Sequence, residues 1–148
     1  MTTYDLDTLA IHAGEDTDLP DVAAPIRLAS TFRYASAAEA AHAFETEGQP
    51  IYTRWGNPTI ATLEAKVAAL EGGEAALATA SGMAAISTAL LTALQSGDHV
   101  VATTGLYSGT YSLLLRDLPR YGIETTLAEA TDPAAFATAL RPNTRAIY

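Results

Sequence analysis

Three short runs in the 148-residue sequence combine residue types and spacings that can do chemistry. The first is Tyr52-Thr53-Arg54-Trp55-Gly56-Asn57-Pro58-Thr59. It sets an arginine beside two aromatics in a loop ahead of a helix, where the planar guanidinium fork can clamp a phosphate or a carboxylate. The plainer alternative is a loop arginine making backbone contacts, with Gly-Asn-Pro serving as the turn into the helix. The second run is Ala78-Thr79-Ala80-Ser81-Gly82-Met83-Ala84-Ala85-Ile86. A strand entering a small-residue turn that opens a helix leaves unpaired amide N–H groups and a partial positive charge at the helix N-terminus, and Gly82 allows close backbone approach. That is an anion site, most naturally for a phosphate; the alternative is an ordinary tight turn that binds nothing. The third is Thr104-Gly105-Leu106-Tyr107-Ser108-Gly109-Thr110-Tyr111. Tyr107 and Tyr111 stand one helical turn apart on one face. One of them can stack on a flat ligand and move a proton through its hydroxyl, or both can simply fill a core.

Other chemistries find less support. Neither G-x-G-x-x-G nor G-x-x-x-x-G-K occurs, so the common dinucleotide and P-loop patterns are absent. His12, His42 and His99 are too scattered for a metal site; His99, at the start of a strand, reads as structural, and His12 as a residue orienting the chain at a His-Ala-Gly turn. Asp16, Asp18 and Asp21 lack the glycine and terminal glutamate of a calcium loop and read as a solvated charge run. Of eight basic residues, seven are arginine and one is lysine, Lys66. Any reaction that needs a lysine must use that one or borrow from elsewhere. Lys66 sits beside the apolar stripe of a helix, with its stem over the core and its charge in water.

These residues need elements to hold them. Residues 1–58 have weak periodicity and are punctuated by Pro20, Pro25, Pro50 and Pro58. They read as an extended arm with one short helix, Ala37 to Phe44, capped by Ser36. Such an arm either packs on a partner subunit or is a partly ordered terminus. From residue 59 the pattern is regular. Thr59 to Glu71 is a helix with Ile60, Leu63, Val67 and Leu70 on one stripe and Gly72-Gly73 as its stop. The spacing then predicts a strand over Ala75–Ala80, a helix over Met83–Leu94, a strand over His99–Ala102 and a helix over Tyr107–Tyr121. It continues with a strand over Ile123–Leu127, a helix opened by Asp132-Pro133, and a strand from Thr144. Strands alternating with helices predict an α/β fold with a mostly parallel sheet. The last strand is reached just as the sequence stops, as expected of the first part of a longer protein.

Composition narrows the partners. A net charge of −9 disfavours nucleic acid and anionic membrane surfaces. No cysteine is present, which excludes disulfides and thiolate chemistry and suits the cytoplasm. The first residues have no secretory pattern, and no window of about 20 apolar residues spans a membrane.

Taken together and in order, these runs resemble the Cys/Met-metabolism (transsulfuration) family of pyridoxal-phosphate enzymes. The resemblance is carried by Tyr52–Thr59, by Leu70-Glu71-Gly72-Gly73-Glu74-Ala75 with Ala80–Ile86, by Ser96-Gly97-Asp98-His99-Val100-Val101, and by Leu106–Tyr111. Thr8-Leu9-Ala10-Ile11-His12-Ala13-Gly14 and the Ala-Pro-Ile and Ser-Thr-Phe segments add to it. It implies the front portion of a fold-type I, aspartate aminotransferase-like enzyme, with residues 1–58 as an arm for inter-subunit contact and 59–148 as the first part of the cofactor domain. It implies that Ser81, Gly82 and Met83 hold the phosphate of pyridoxal 5'-phosphate, and that Tyr52 and Arg54 reach the phosphate of a neighbouring subunit. Tyr107 would stack on the cofactor ring and pass a proton to the leaving group. No metal is implied. The family's Schiff-base lysine, pyridine-pairing aspartate and carboxylate-binding arginine fall beyond residue 148, and Lys66 matches none of them.

The activity implied is γ-elimination from a sulfur amino acid, methionine γ-lyase-like or cystathionine γ-lyase-like, in a cytoplasmic homo-oligomer built as a dimer of dimers. The alternatives are γ-replacement, as in cystathionine γ-synthase or an O-acylhomoserine sulfhydrylase, and a non-catalytic phosphate-binding module. Gly109 stands where methionine γ-lyases often carry a cysteine, so elimination and replacement both stay open.

Overall fold

The computed structural model describes residues 4–15, 20–46 and 49–148. Asp16 and Asp18 of the acidic run lie outside them. The chain divides into two compact units, residues 1–78 and 79–148.

In the first unit, two helices stand where the arm was expected to have one. Helix α1 (Leu6–His12) is the addition, and helix α2 (Ala37–Glu45) is the expected one. The Ser36 side chain accepts the Glu39 N–H, and the Glu39 carboxylate accepts the Ala35 N–H at 2.7 Å, so two donors at the start of α2 are satisfied. Helix α3 (Pro58–Glu71) has Asn57 as its N-cap, proline in its first turn, and Gly72 in the left-handed conformation (φ 65°) as its stop. Helices α1 and α3 pack on each other. The stripe Ile60, Leu63, Val67 and Leu70 stays exposed rather than forming a core.

Lys66 also departs from expectation. Its ammonium is only partly solvated; it donates to the backbone carbonyl of Ile11, at the end of α1, and lies 3.7 Å from Glu15 Oε1. Glu15 Oε2 is 2.9 Å from His12 Nδ1. That hydrogen bond, helped by the Lys66 charge, holds the Glu15 carboxyl below the usual carboxylate range. The lysine is therefore a tie between α3 and the end of α1.

Ala75–Ala80 has no regular secondary structure and is not a strand. A strand persists only where its backbone groups find a ladder, and no described segment pairs with this one. The Ala78 N–H instead donates to Glu64 Oε1 at 2.8 Å, and Leu77 is 73% exposed.

The second unit is a three-stranded parallel sheet with helices against it. It runs through helix α4 (Gly82–Ala93), strand β1 (His99–Thr103), helix α5 (Ser108–Ser112), strand β2 (Glu124–Ala128), helix α6 (Pro133–Ala139) and strand β3 (Thr144–Ile147). The strand order is β2-β1-β3, with His99 opposite Glu124 on one side and Thr144 on the other. The central strand is buried along nearly its whole length, as a strand flanked and covered on both faces must be. Val100 and Ala102 meet Leu90, Leu94, Leu114, Leu118 and Ile123 in the core.

The single helix expected over Tyr107–Tyr121 is three consecutive turns of different pitch: α5, a π turn (Leu113–Asp117) and a 3₁₀ turn (Leu118–Tyr121). Pro119 accounts for the break. It has no N–H to donate to the carbonyl four residues back, and its ring crowds that carbonyl. The chain relaxes by bonding Leu118 N–H to the Leu113 carbonyl, five residues back, and restarts as a tight turn with proline at its opening. No described helix is long and apolar enough to cross a membrane.

Candidate functional site

The predicted site residues fall into two groups, one in each unit. Tyr52 and Arg54 belong to residues 1–78; Ser81, Gly82, Met83 and Tyr107 belong to residues 79–148.

The Arg54 loop is held from both ends. Thr31 and Tyr52 form an antiparallel bridge, and Thr53 donates its N–H to the Ser30 carbonyl (2.9 Å) and its hydroxyl to the Ala29 carbonyl (2.6 Å). Behind the loop, buried Asn57 accepts the Thr59 N–H as helix cap. Its amide donates to the Arg27 carbonyl at 3.0 Å and to Thr53 Oγ1 at 3.1 Å. This network lets a proline-rich segment present one side chain in a defined place. The Arg54 guanidinium carbon lies 5.3 Å from the centre of the Tyr52 ring and 5.5 Å from that of Trp55. Both rings hold the cation by its attraction to their π faces. Phe44 meets Trp55 edge-on at 5.5 Å and backs the arrangement. Among the described residues no carboxylate pairs with Arg54. The part of Trp55 was not legible beforehand; its place next to Arg54 in sequence was the only signal.

In the second unit, Ser81 caps α4: its hydroxyl oxygen accepts the Ala84 N–H at 3.1 Å, and the Thr79 hydroxyl donates to the Ser81 carbonyl at 2.9 Å. The N–H groups of Gly82 and Met83, in the first turn, have no intrahelical partner. A side-chain carbon placed on Gly82 would meet nothing within 4 Å, so the flank of the helix start is open at this residue. The first turn of α4 holds no acidic residue to repel an anion. Tyr107 is the residue just before α5 and is 69% exposed. Its ring edge and the Met83 sulfur lie over the same atom, Gly109 Cα, so the structure brings Met83 and Tyr107 together. Tyr111, the other tyrosine of that motif, is also exposed.

The sequence profile of the Cys/Met metabolism PLP-dependent enzymes matches residues 7–148. The chain belongs to this family. Among relatives, it is 47% identical to an L-methionine gamma-lyase of Fusobacterium nucleatum subsp. polymorphum, over 98% of this chain and 37% of that one. It is 41% identical to an O-acetyl-L-homoserine sulfhydrylase of Leptospira meyeri, over 96% of this chain and 33% of that one. The crystal structure of cystathionine gamma-lyase from Lactobacillus plantarum complexed with L-serine superposes with a TM-score of 0.83 at 37% identity, over 98% of this chain and 36% of that one. The chain thus spans about a third of the length of these family members.

The residues present fit part of the family's cofactor. The free N–H pair and open flank at Gly82 suit a phosphate, and the exposed Tyr107 ring suits a flat heterocycle. A carbonyl of the cofactor would need a lysine amine, and Lys66 is committed to Ile11 and Glu15.

Proposed function

We propose that this chain is the front part of a cytoplasmic PLP-dependent carbon–sulfur lyase that performs γ-elimination on a sulfur amino acid, releasing a thiol, a 2-oxo acid and ammonia. The observation that carries the proposal is the pairing, within one family member, of an acid-free, open helix start at Gly82–Met83 with an exposed tyrosine on the next helix start. Supporting the lyase assignment is the 47% identity to a methionine γ-lyase and the structural likeness to a cystathionine γ-lyase.

In this proposal the Gly82 and Met83 N–H groups hold the cofactor phosphate, aided by the α4 dipole and the Ser81 cap. Tyr107 covers the cofactor ring and passes a proton to the departing sulfur. Residues 1–58 form an arm that contacts a neighbouring subunit in a dimer of dimers, where Tyr52 and Arg54 add a guanidinium to the phosphate. When bound, pyridoxal phosphate supplies the electron sink that tolerates negative charge at the substrate's Cα and Cβ.

γ-Replacement is the second reading, favoured by the 41% identity to a sulfhydrylase. The whole protein should therefore be assayed with L-methionine and L-cystathionine for 2-oxo acid and ammonia, and with an O-acylhomoserine plus sulfide for homocysteine. Elimination dominating supports the proposal. Homocysteine formation without 2-oxo acid replaces it with the second reading. The absence of both reactions, together with stable folding of the 148 residues alone, makes the chain a phosphate-binding module.

A further inference from the structure

We infer that Asn57 is a positioning residue for Arg54, working through its amide nitrogen and the Thr53 hydroxyl, while its carbonyl oxygen separately caps α3. The inference rests on the reading, given above, of Arg54 as a ligand of the cofactor phosphate.

Capping alone does not ask for asparagine at position 57. Aspartate or serine would accept the Thr59 N–H as well. What asparagine adds is a donor, and two acceptors face it. Asn57 Oδ1 takes the Thr59 N–H at 2.9 Å, which turns Nδ2 toward the Arg27 carbonyl at 3.0 Å and Thr53 Oγ1 at 3.1 Å. The Thr53 hydroxyl has one proton, and it goes to the Ala29 carbonyl at 2.6 Å. Its oxygen therefore receives a hydrogen bond from Asn57 and has none left to give. The chain of donors runs one way, from Asn57 through Thr53 to Ala29, and only a donor at position 57 can start it. Asn57 is 6% exposed, so water is poorly placed to take over.

The same amide pins the facing segment. The Arg27 carbonyl accepts from Asn57, and the Arg27 N–H donates to Thr59 Oγ1 at 2.9 Å, so both backbone groups of Arg27 are paired by the residues on either side of Pro58. Arg54 follows Thr53 directly, on a turn that the Trp55 and Gly56 N–H groups close on the Tyr52 carbonyl at 2.8 and 3.2 Å. Its guanidinium leans on the Tyr52 and Trp55 rings, which the same turn carries. Whatever fixes the turn therefore fixes the cation, and the side-chain link that does so is Asn57 to Thr53.

The test uses the whole protein. The dissociation constant for pyridoxal phosphate and the deuterium exchange of the α3 amides would be measured for Asn57→Asp, Thr53→Val, Thr53→Ser and Arg54→Ala, and for the first two combined with Arg54→Ala. Asn57→Asp keeps the cap and loses the donor; Thr53→Val breaks the link with no change of charge. Each should weaken cofactor binding about three- to tenfold with α3 exchange unaltered, and Thr53→Ser should bind as wild type does. In the Arg54→Ala background neither should weaken binding further, because the effect passes through the guanidinium. Equal losses in both backgrounds overturn the inference, since a merely structural role acts whether or not Arg54 is present. Should Asn57→Asp not fold, Thr53→Val and Thr53→Ser decide: equal binding by the two overturns it. Unchanged binding in Arg54→Ala overturns the reading of Arg54 and the inference with it. Weakened binding in Arg54→Ala beside unchanged binding in Thr53→Val overturns the inference alone.

Discussion

Gly14 and Ala65 meet so closely that a Cβ on the glycine would lie 2.6 Å from the alanine Cβ and 3.0 Å from the neighbouring Thr62 carbonyl. Gly14 also has a φ of 73°, where side chains are strained. The turn after α1 can therefore seat on α3 only with glycine. Gly14→Ala should destabilise the first unit by about 2–4 kcal/mol, combining backbone strain and overpacking. Gly14→Ala with Ala65→Gly should recover the packing part and leave the strain. Denaturant titrations of the whole protein would measure both; equal stability of single and double variants would remove Ala65 from the account.

Lys66 is expected to be dispensable for cofactor loading. Lys66→Met in the whole protein should load pyridoxal phosphate as wild type does, because the ammonium serves Ile11 and Glu15. The α1 amides should exchange with deuterium faster, since the helix loses its tie to α3. Loss of cofactor with α1 exchange unaltered would move Lys66 into the active site.

Arg54→Ala should weaken pyridoxal-phosphate binding roughly 10- to 100-fold, the loss of one or two charge-assisted hydrogen bonds. Arg54→Lys should restore little, because an ammonium lacks the flat fork that two rings hold in place. Cofactor titration of the apo whole protein reads both, and an unchanged dissociation constant for Arg54→Ala would falsify its role.

His99 predicts a pH dependence. Its ring is fully buried, and its two nitrogens each lie 2.8 Å from a threonine hydroxyl, Thr126 on β2 and Thr144 on β3. Burial, and then the Arg141 charge, push its pKa below the ordinary value, while Glu124 opposes the shift. The folded imidazole is therefore neutral where the unfolded one, titrating near pH 6.5, takes up a proton. Its contribution to stability is present above about pH 6.5 and is lost as pH falls through the lower folded value. The melting temperature should drop between pH 7.5 and 5.5, and His99→Gln should flatten that slope. An equal slope in the variant would place the acid sensitivity elsewhere.

Where one residue type carried its own signal, the sequence was readable. Asp132-Pro133 opened α6, Ser36 capped α2, Asn57 and Gly72 bounded α3, and Val100-Val101-Ala102 made the central strand. The misreadings came where partners decide. Ala75–Ala80 has the composition of a strand but no ladder to join among the described residues. The stripe of α3 has helical spacing, yet spacing does not say what covers it. The helix after Tyr107 changes pitch because of one proline whose effect reaches back four residues. Near the candidate site, the turn at Ser81-Gly82 and the helix after it were legible from local chemistry; the capping bond of Ser81 was not. The Trp55 face on Arg54 and the shared volume over Gly109 were not, since both depend on where side chains turn in space.

The strand order β2-β1-β3 has a consequence for synthesis on the ribosome. The strand made first is the one that ends up in the middle. Val100 can pair on one edge only after Thr125 has emerged, and on the other only after Ala146. At roughly 5–20 residues per second, those waits last about 1–5 s and 2–9 s. During the first wait the most apolar strand of the nascent chain has two open edges, and until the second ends it still has one, so it is the segment that a chaperone would be expected to hold.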